Sequence, residues 1–174
     1  MTYAITGSLL VPSQLYRLNT ATGLSLSQYT NAFGQEYSFN HYTAHGNPQE
    51  VWHNNEVTTY LYSYRGLYPI AEIQNATYQQ VKNILGESTI NTFYTLLPTD
   101  SQIATFLTPL LNAASQNRFL VTSYTHKPLF GVTSITQPSG TKSFFEYDNY
   151  GRLFKLKDTD SNLLQQFNYH YHSR

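Results

Sequence analysis

The stretch FFEYDNYGRLFKLKD, residues 144–158, sets Glu146 and Asp148 two positions apart and follows them with Gly151 and Arg152. Two carboxylates this close are the raw material of general acid–base chemistry. The spacing argues against that use. Glu146 and Asp148 share a face only if one strand runs through both, and Asp148 opens a turn. The residue types suit a backbone device instead. Asp148 can accept amides around Tyr150 and Gly151, Gly151 can take a positive φ, and Arg152 can lie on a neighbouring tyrosine.

Other polar groups fit specific chemistries less well. Asp158-Thr159-Asp160-Ser161-Asn162 imitates the first ligands of a calcium loop, but Leu163 and Tyr169 stand where that loop needs Gly and Glu. A hairpin turn is the better reading. His170 and His172 alternate along one stretch, His41 and His45 flank a turn, and His53 precedes another. No spacing supplies the third ligand that zinc requires, so neither a metal nor another cofactor is expected. The chain contains no Gly-x-Ser-x-Gly elbow and no phosphate-cradling glycine loop. Catalytic residues are therefore expected to be none, and the chain is not expected to be an enzyme. Asn75-Ala76-Thr77 fits a glycosylation acceptor, a pattern short enough to arise by chance. The binding candidates are aromatic: Trp52 with Tyr60, Tyr62 and Tyr64, which could stack sugar rings. The same tyrosines suit cross-strand packing.

These side chains must be positioned by strands. In VTTYLYSY (57–64), Thr58, Tyr60, Tyr62 and Tyr64 alternate with Val57, Thr59, Leu61 and Ser63. In LLQQFNYHY (163–171), Leu163, Gln165, Phe167, Tyr169 and Tyr171 alternate with Leu164, Gln166, Asn168 and His170. Period two with aromatic and β-branched enrichment predicts sheet. GNP (46–48), HNNE (53–56), QPSG (137–140) and DTDSN (158–162) carry turn chemistry, so the strands should form antiparallel hairpins. Tyr-x-x-x-Gly recurs at Tyr42–Gly46, Tyr62–Gly66 and Tyr147–Gly151. Tyr42 to Tyr62 is 20 residues and Tyr147 to Tyr169 is 22, which predicts a repeated unit of turn, strand, turn, strand.

The middle changes period. Tyr78, Val81, Ile84 and Leu85 form a helical stripe stopped at Gly86. Ile90, Phe93 and Leu97 form a second stripe, ended by Pro98. Ile103, Phe106, Leu107, Leu110, Leu111 and Ala114 form a third, behind a Thr99–Gln102 capping box, with Pro109 expected to kink or divide it. The predicted organisation is residues 1–75 and 119–174 as hairpins around a helical insertion at 76–118. The fold class is mainly β, an antiparallel hairpin sheet, and α+β overall once the insertion is counted.

Composition narrows the partners. Of 174 residues, 16 are tyrosine, only 11% are charged, and ten basic side chains balance ten acidic ones. A typical charged share is about 25%. No net field attracts nucleic acid, and no apolar run is long enough to insert in a membrane. There is no cysteine, so disulfides and thiolate sites are excluded. The opening MTYAITGSLLVPS lacks the basic start of a signal peptide.

Phe145-Glu146-Tyr147-Asp148-Asn149-Tyr150-Gly151-Arg152-Leu153 resembles the signature of the Rhs/YD-repeat family, F/Y-x-Y-D-x-x-G-R-L. The likeness extends over 124–171, which is similar to the closing repeats of secreted YD-repeat proteins of Bacteroidota. YTAHGNP (42–48) and YLYSYRGLYPIAEI (60–73) resemble degenerate copies; residues 1–36 and the helices match least. The resemblance implies hairpin arrays that spiral into sheets or shells, an extracellular or cell-surface location, and repeats suggested to bind carbohydrate. Some members enclose a toxin and mark its boundary with paired Asp-Pro-x-Gly motifs. Gln137-Pro138-Ser139-Gly140 has Gln in place of that Asp, no second copy follows, and the given sequence reaches Arg174 without a toxin domain. A self-processing cage is not expected. The expectation is a non-catalytic structural segment, with a carbohydrate- or surface-binding module and a toxin-shell fragment as alternatives. Its open sheet edges should meet further repeats, be covered by the helices, or drive self-association.

Overall fold

The computed structural model describes residues 1–18 and 33–170. Tyr171 and His172, both invoked above, lie outside them. Among the described residues, eleven strands form one antiparallel sheet in which each strand pairs with the next in sequence. They are β1 (Thr2–Thr6), β2 (Leu9–Leu18), β3 (Phe33–Tyr42), β4 (Pro48–His53), β5 (Glu56–Ser63) and β6 (Tyr68–Gln74). After the helices come β7 (Leu120–Lys127), β8 (Gly131–Thr136), β9 (Lys142–Tyr147), β10 (Leu153–Lys157) and β11 (Leu163–Gln166). Three helices, α1 (Tyr78–Leu85), α2 (Glu87–Thr95) and α3 (Asp100–Asn117), enter between β6 and β7 without interrupting the sheet, because those strands still pair from Ala71–Ser123 to Gln74–Leu120.

Alternation decides the two faces. Along β5, Val57, Thr59, Leu61 and Ser63 are buried while Thr58, Tyr60 and Tyr62 are only partly covered. Leu61, Ala71, Ile73 and Val121 pack against Val81, Leu85, Ile103, Leu107 and Leu110 of the helices. Burying each such aliphatic side chain contributes about 1.5–3 kcal/mol. Phe93 of α2 and Phe106 of α3 stack at 4.0 Å between ring centres. The sheet also bonds to the insertion: the Thr59 hydroxyl donates to the Ala76 carbonyl at 2.7 Å, and the Ser63 hydroxyl to the Phe93 carbonyl at 2.6 Å. Only β5–β7 and their neighbours gain this second layer. The helices cover a face, and leave the outer edges of β1 and β11 unpaired among the described residues.

Local chemistry explains the helix ends. Thr99 and Gln102 form the expected capping box, with the Thr99 amide donating to Gln102 Oε1 at 2.8 Å. Thr77 and Gln80 form another at the start of α1, which periodicity alone does not reveal. Three sequence expectations change. The second helix ends at Thr95, so Leu97 lies beyond it and is 61% exposed. Leu111 is 49% exposed, which narrows the α3 stripe. Pro109 sits exposed inside one continuous α3 and so does not divide it, with Leu107 and Leu110 buried just before and after it in sequence.

The buried Glu50 is the main polar tie between layers. It lies on the helix-side face of β4, opposite Thr59, and is 6% exposed. Its Oε2 accepts the Tyr78 backbone amide at 2.7 Å, the first free amide of α1. Its Oε1 accepts Trp52 Nε1 at 2.8 Å and Asn40 Nδ2 at 3.3 Å. No acid stands in the first turn of α1, so Glu50 supplies the negative charge that end favours. Burial pushes its carboxyl pKa up, but the three hydrogen bonds and the charge of His41 outweigh that and hold it below the usual 4.5.

Glu50→Gln should cost about 1–3 kcal/mol in urea unfolding, since an amide nitrogen would replace one acceptor in a buried site. The depressed pKa also sets a direction. Glu50 stabilises the fold above pH 4.5 and loses that contribution as pH falls through its folded value. Urea midpoints measured down to pH 3 should therefore fall less steeply in the variant.

Candidate functional site

The 144–158 stretch folds as the hairpin of β9 and β10. β9 ends at Tyr147, so Asp148 begins the turn and not a continuing face. The Asp148 amide donates to the Arg152 carbonyl at 2.9 Å, and the Gly151 amide to the Asp148 carbonyl at 3.0 Å. Asp148 Oδ1 accepts the amides of Tyr150 and Arg152 at 2.8 and 3.0 Å. Its Oδ2 takes the Arg152 guanidinium, with Nε at 2.7 Å and a terminal nitrogen at 2.6 Å. Gly151 has φ +77°, where a β-carbon is strained. Glu146 is engaged elsewhere, by Lys157 at 2.6 Å. Each carboxylate thus has its own cation. For Asp148, slight burial raises the pKa, while the Arg152 and Tyr150 bonds outweigh it and keep the group ionised well below the usual range. The guanidinium also lies 4.2 Å from the Tyr169 ring centre and 5.2 Å from that of Tyr150.

The same five-residue loop recurs. At 158–162 the Asp158 amide donates to the Asn162 carbonyl at 3.1 Å, and Asp158 Oδ1 accepts the amides of Asp160 and Asn162. Asn162 Nδ2, bonded to Asp158 Oδ2 at 2.9 Å, takes the part of Arg152, and Ser161 takes that of Gly151 with φ +66°. These carboxylate oxygens face their own loop, which is hairpin geometry and not a calcium cradle. At 43–47, the Thr43 hydroxyl accepts the amides of His45 and Asn47 at 3.3 and 3.1 Å, doing with one oxygen what Asp148 does with two. At 137–141 the backbone bonds repeat around Gln137 and Gly140. The 62–66 copy departs: Tyr64, Arg65 and Gly66 all have positive φ, and Ser63 turns to α2 instead of capping the loop.

Tyr42, Tyr62 and Tyr147, which precede three of these loops, and Tyr169 have a second role. Tyr62 donates its hydroxyl to the Pro48 carbonyl at 3.1 Å, Tyr147 to Val132 at 2.8 Å, Tyr169 to Leu153 at 2.8 Å, and Tyr42 to Pro12. Pro48 stands six residues beyond Tyr42, and Leu153 six beyond Tyr147. Each tyrosine therefore grips the strand that leaves the preceding unit's turn. Burial raises the pKa of Tyr42 and Tyr147, and with the Tyr60 hydroxyl nearby pushes Tyr62 up to about 12. All three stay protonated donors at neutral pH. At Gly66 a β-carbon would overlap the hydroxyl of Tyr94, which lies across the loop and meets His45 Nδ1 at 2.6 Å.

The aromatic candidates separate. Tyr60 and Tyr62 lie half-buried on the face away from the helices. Glu72 is directly opposite Tyr60, and Tyr124 donates to it at 3.2 Å. Trp52 is on the other face, paired with Ser38 and Val57, and lines a cleft of about 330 Å³ with Gln35, Glu36, Ser38, Asn54 and Asn55. Tyr64 leaves the predicted alternation, because its φ of +53° ends the strand at Ser63. The residue is 2% exposed, with its ring against Tyr68 and His126. The histidines are dispersed too: His53 stacks on Tyr37, His41 lies near Tyr78, and His170 lines a cleft with Arg152 and Tyr169. Among the described residues, no three His, Cys, Asp or Glu side chains are grouped for a metal.

Tyr147→Phe should lose about 0.5–1.5 kcal/mol in chemical unfolding, the net value of one hydrogen bond. Gly66→Ala should lower the melting temperature and loosen α2, seen as faster amide exchange across Glu87–Thr95. No protein-family model matches the chain, and no curated protein matches it.

Proposed function

We propose that the chain is a non-catalytic scaffold segment of the Rhs/YD-repeat kind, built for a secreted or cell-surface bacterial protein. The observation that carries this reading is the tyrosine grip at a constant six-residue offset, with Pro48 after Tyr42 and Leu153 after Tyr147. The most distinctive acids, Asp148 and Asp158, spend their oxygens on their own turns, Asp148 even where it borders the cleft of Arg152, Tyr169 and His170. The edges of β1 and β11, unpaired among the described residues, are the surfaces that would meet further repeats or other copies. Tyr3, Ile5, Leu163 and Leu164 are exposed there.

The cleft at Trp52 favours a second reading, a carbohydrate-binding module. An indole beside two amide side chains from Asn54 and Asn55, Gln35, a serine and Glu36 offers a stacking surface with hydroxyl-recognising partners.

Sedimentation over a wide concentration range tests the scaffold reading. The chain should associate with rising concentration, and Ile5→Lys with Leu164→Lys should suppress that. A wild-type chain that stays monomeric throughout would remove the edges as joining surfaces. Trp52 is the only tryptophan, so its fluorescence reports directly on the cleft. A saturable change with a neutral oligosaccharide, absent in Trp52→Ala, would favour the second reading.

A further inference from the structure

His126, near the end of β7, occupies the place of a tyrosine in the repeated unit. It stands six residues before Val132, whose carbonyl receives the Tyr147 hydroxyl. The imidazole makes no such grip. Tyr68 of β6 stacks on it at 5.0 Å, and Tyr64 of the β5–β6 turn meets it edge-on at 5.7 Å. The surrounding bonds tie three segments together. The His126 amide donates to the Tyr64 hydroxyl at 3.2 Å, and the Leu129 amide, in the β7–β8 turn, donates to the Tyr68 hydroxyl at 3.4 Å. Nδ1 of His126 is buried and has no hydrogen-bond partner.

The groups around it offer a cation little. Tyr64 and Tyr68 are the titratable side chains facing the ring, and each hydroxyl oxygen already accepts a backbone amide. Asp100, at the start of α3, acts on the Tyr64 hydroxyl, and the neighbouring Lys127 lies over the Phe130 ring at 4.0 Å. Val132, paired opposite on β8, carries no charge. The face of Tyr68 attracts a cation, but it supplies no acceptor for a second ring N–H.

We propose that His126 is an acid-sensitive joint: on gaining a proton the imidazole leaves the space between Tyr64 and Tyr68, and the β7–β8 turn separates from the helix-covered block. This goes beyond the scaffold reading and does not depend on it. Burial lowers the His126 pKa from 6.5, so above that pH the group contributes nothing to pH dependence. Below it, unfolded chains take up a proton that the closed form refuses, and stability falls as pH drops toward the folded value. The Glu50 contribution is lost at the acid end of the range, as pH falls through its own folded value below 4.5.

The test is an NMR titration of the imidazole nitrogens in the whole chain from pH 8 to 4.5, with amide exchange at Leu129 and Phe130. The His126 midpoint should lie below 6.5, and those amides should lose protection about tenfold per unit of depression as pH passes through the window. His126→Phe keeps the aromatic stack and should hold protection level. A midpoint at or above 6.5, or equal pH dependence in the variant, would overturn the joint. If the variant does not fold, the wild-type midpoint and exchange decide alone.

Discussion

The bond from a tyrosine hydroxyl to the carbonyl leaving the previous turn is the constraint on which the sheet depends. An antiparallel meander has no crossover to lock its register, and each hairpin is free to slip unless its turn and neighbour agree. The loop at 148–152 settles the turn from within, through Asp148 and Arg152. Tyr147 and Tyr169 then settle how one hairpin sits on the next, because a phenol of fixed length reaches only one carbonyl. A slip of one residue between β8 and β9 would break the Tyr147 bond and turn the β9 side chains to the opposite face.

A meander of this kind buries little on its own. Strands β9 and β10 are only partly covered along their whole length, and β11 is fully exposed. The insertion changes that for the middle of the sheet. It lays three helices on one face, and polar groups of the first two are answered by sheet residues distant in sequence: Glu50 for α1, Thr59 for Ala76, Ser63 for the end of α2. Those bonds explain why buried polar side chains alternate with leucine and valine on β5, where pure hydrophobic patterning would not place them. The result is a two-layer block continued on both sides by single-layer hairpins.

The site residues were legible to different degrees. Asp148, Gly151 and Arg152 could be read as a turn from their types and order, since an Asx bond and a positive φ are local. Asp158 to Asn162 could be read as a turn, but not as the same loop, because Ser161 and Asn162 disguise Gly151 and Arg152. Tyr64 was misplaced because alternation assumes that a strand continues. Nothing within Tyr64-Arg65-Gly66 announces three successive left-handed residues. Nearness in sequence suggests one shared surface for Trp52 and Tyr60. The β4–β5 register pairs Trp52 with Val57 and sets it on the other face.

Hairpin character, the helical interruption, the Thr99 cap and the turn chemistry at Asp148 can be read along the chain, because each depends on neighbours within a few positions. Which face each strand turns inward, which carbonyl each tyrosine finds, and how Glu50 comes to cap a helix 28 residues away are settled by long-range packing. Those outcomes rest on register and burial. Both are properties of pairs of segments, and no single segment encodes them.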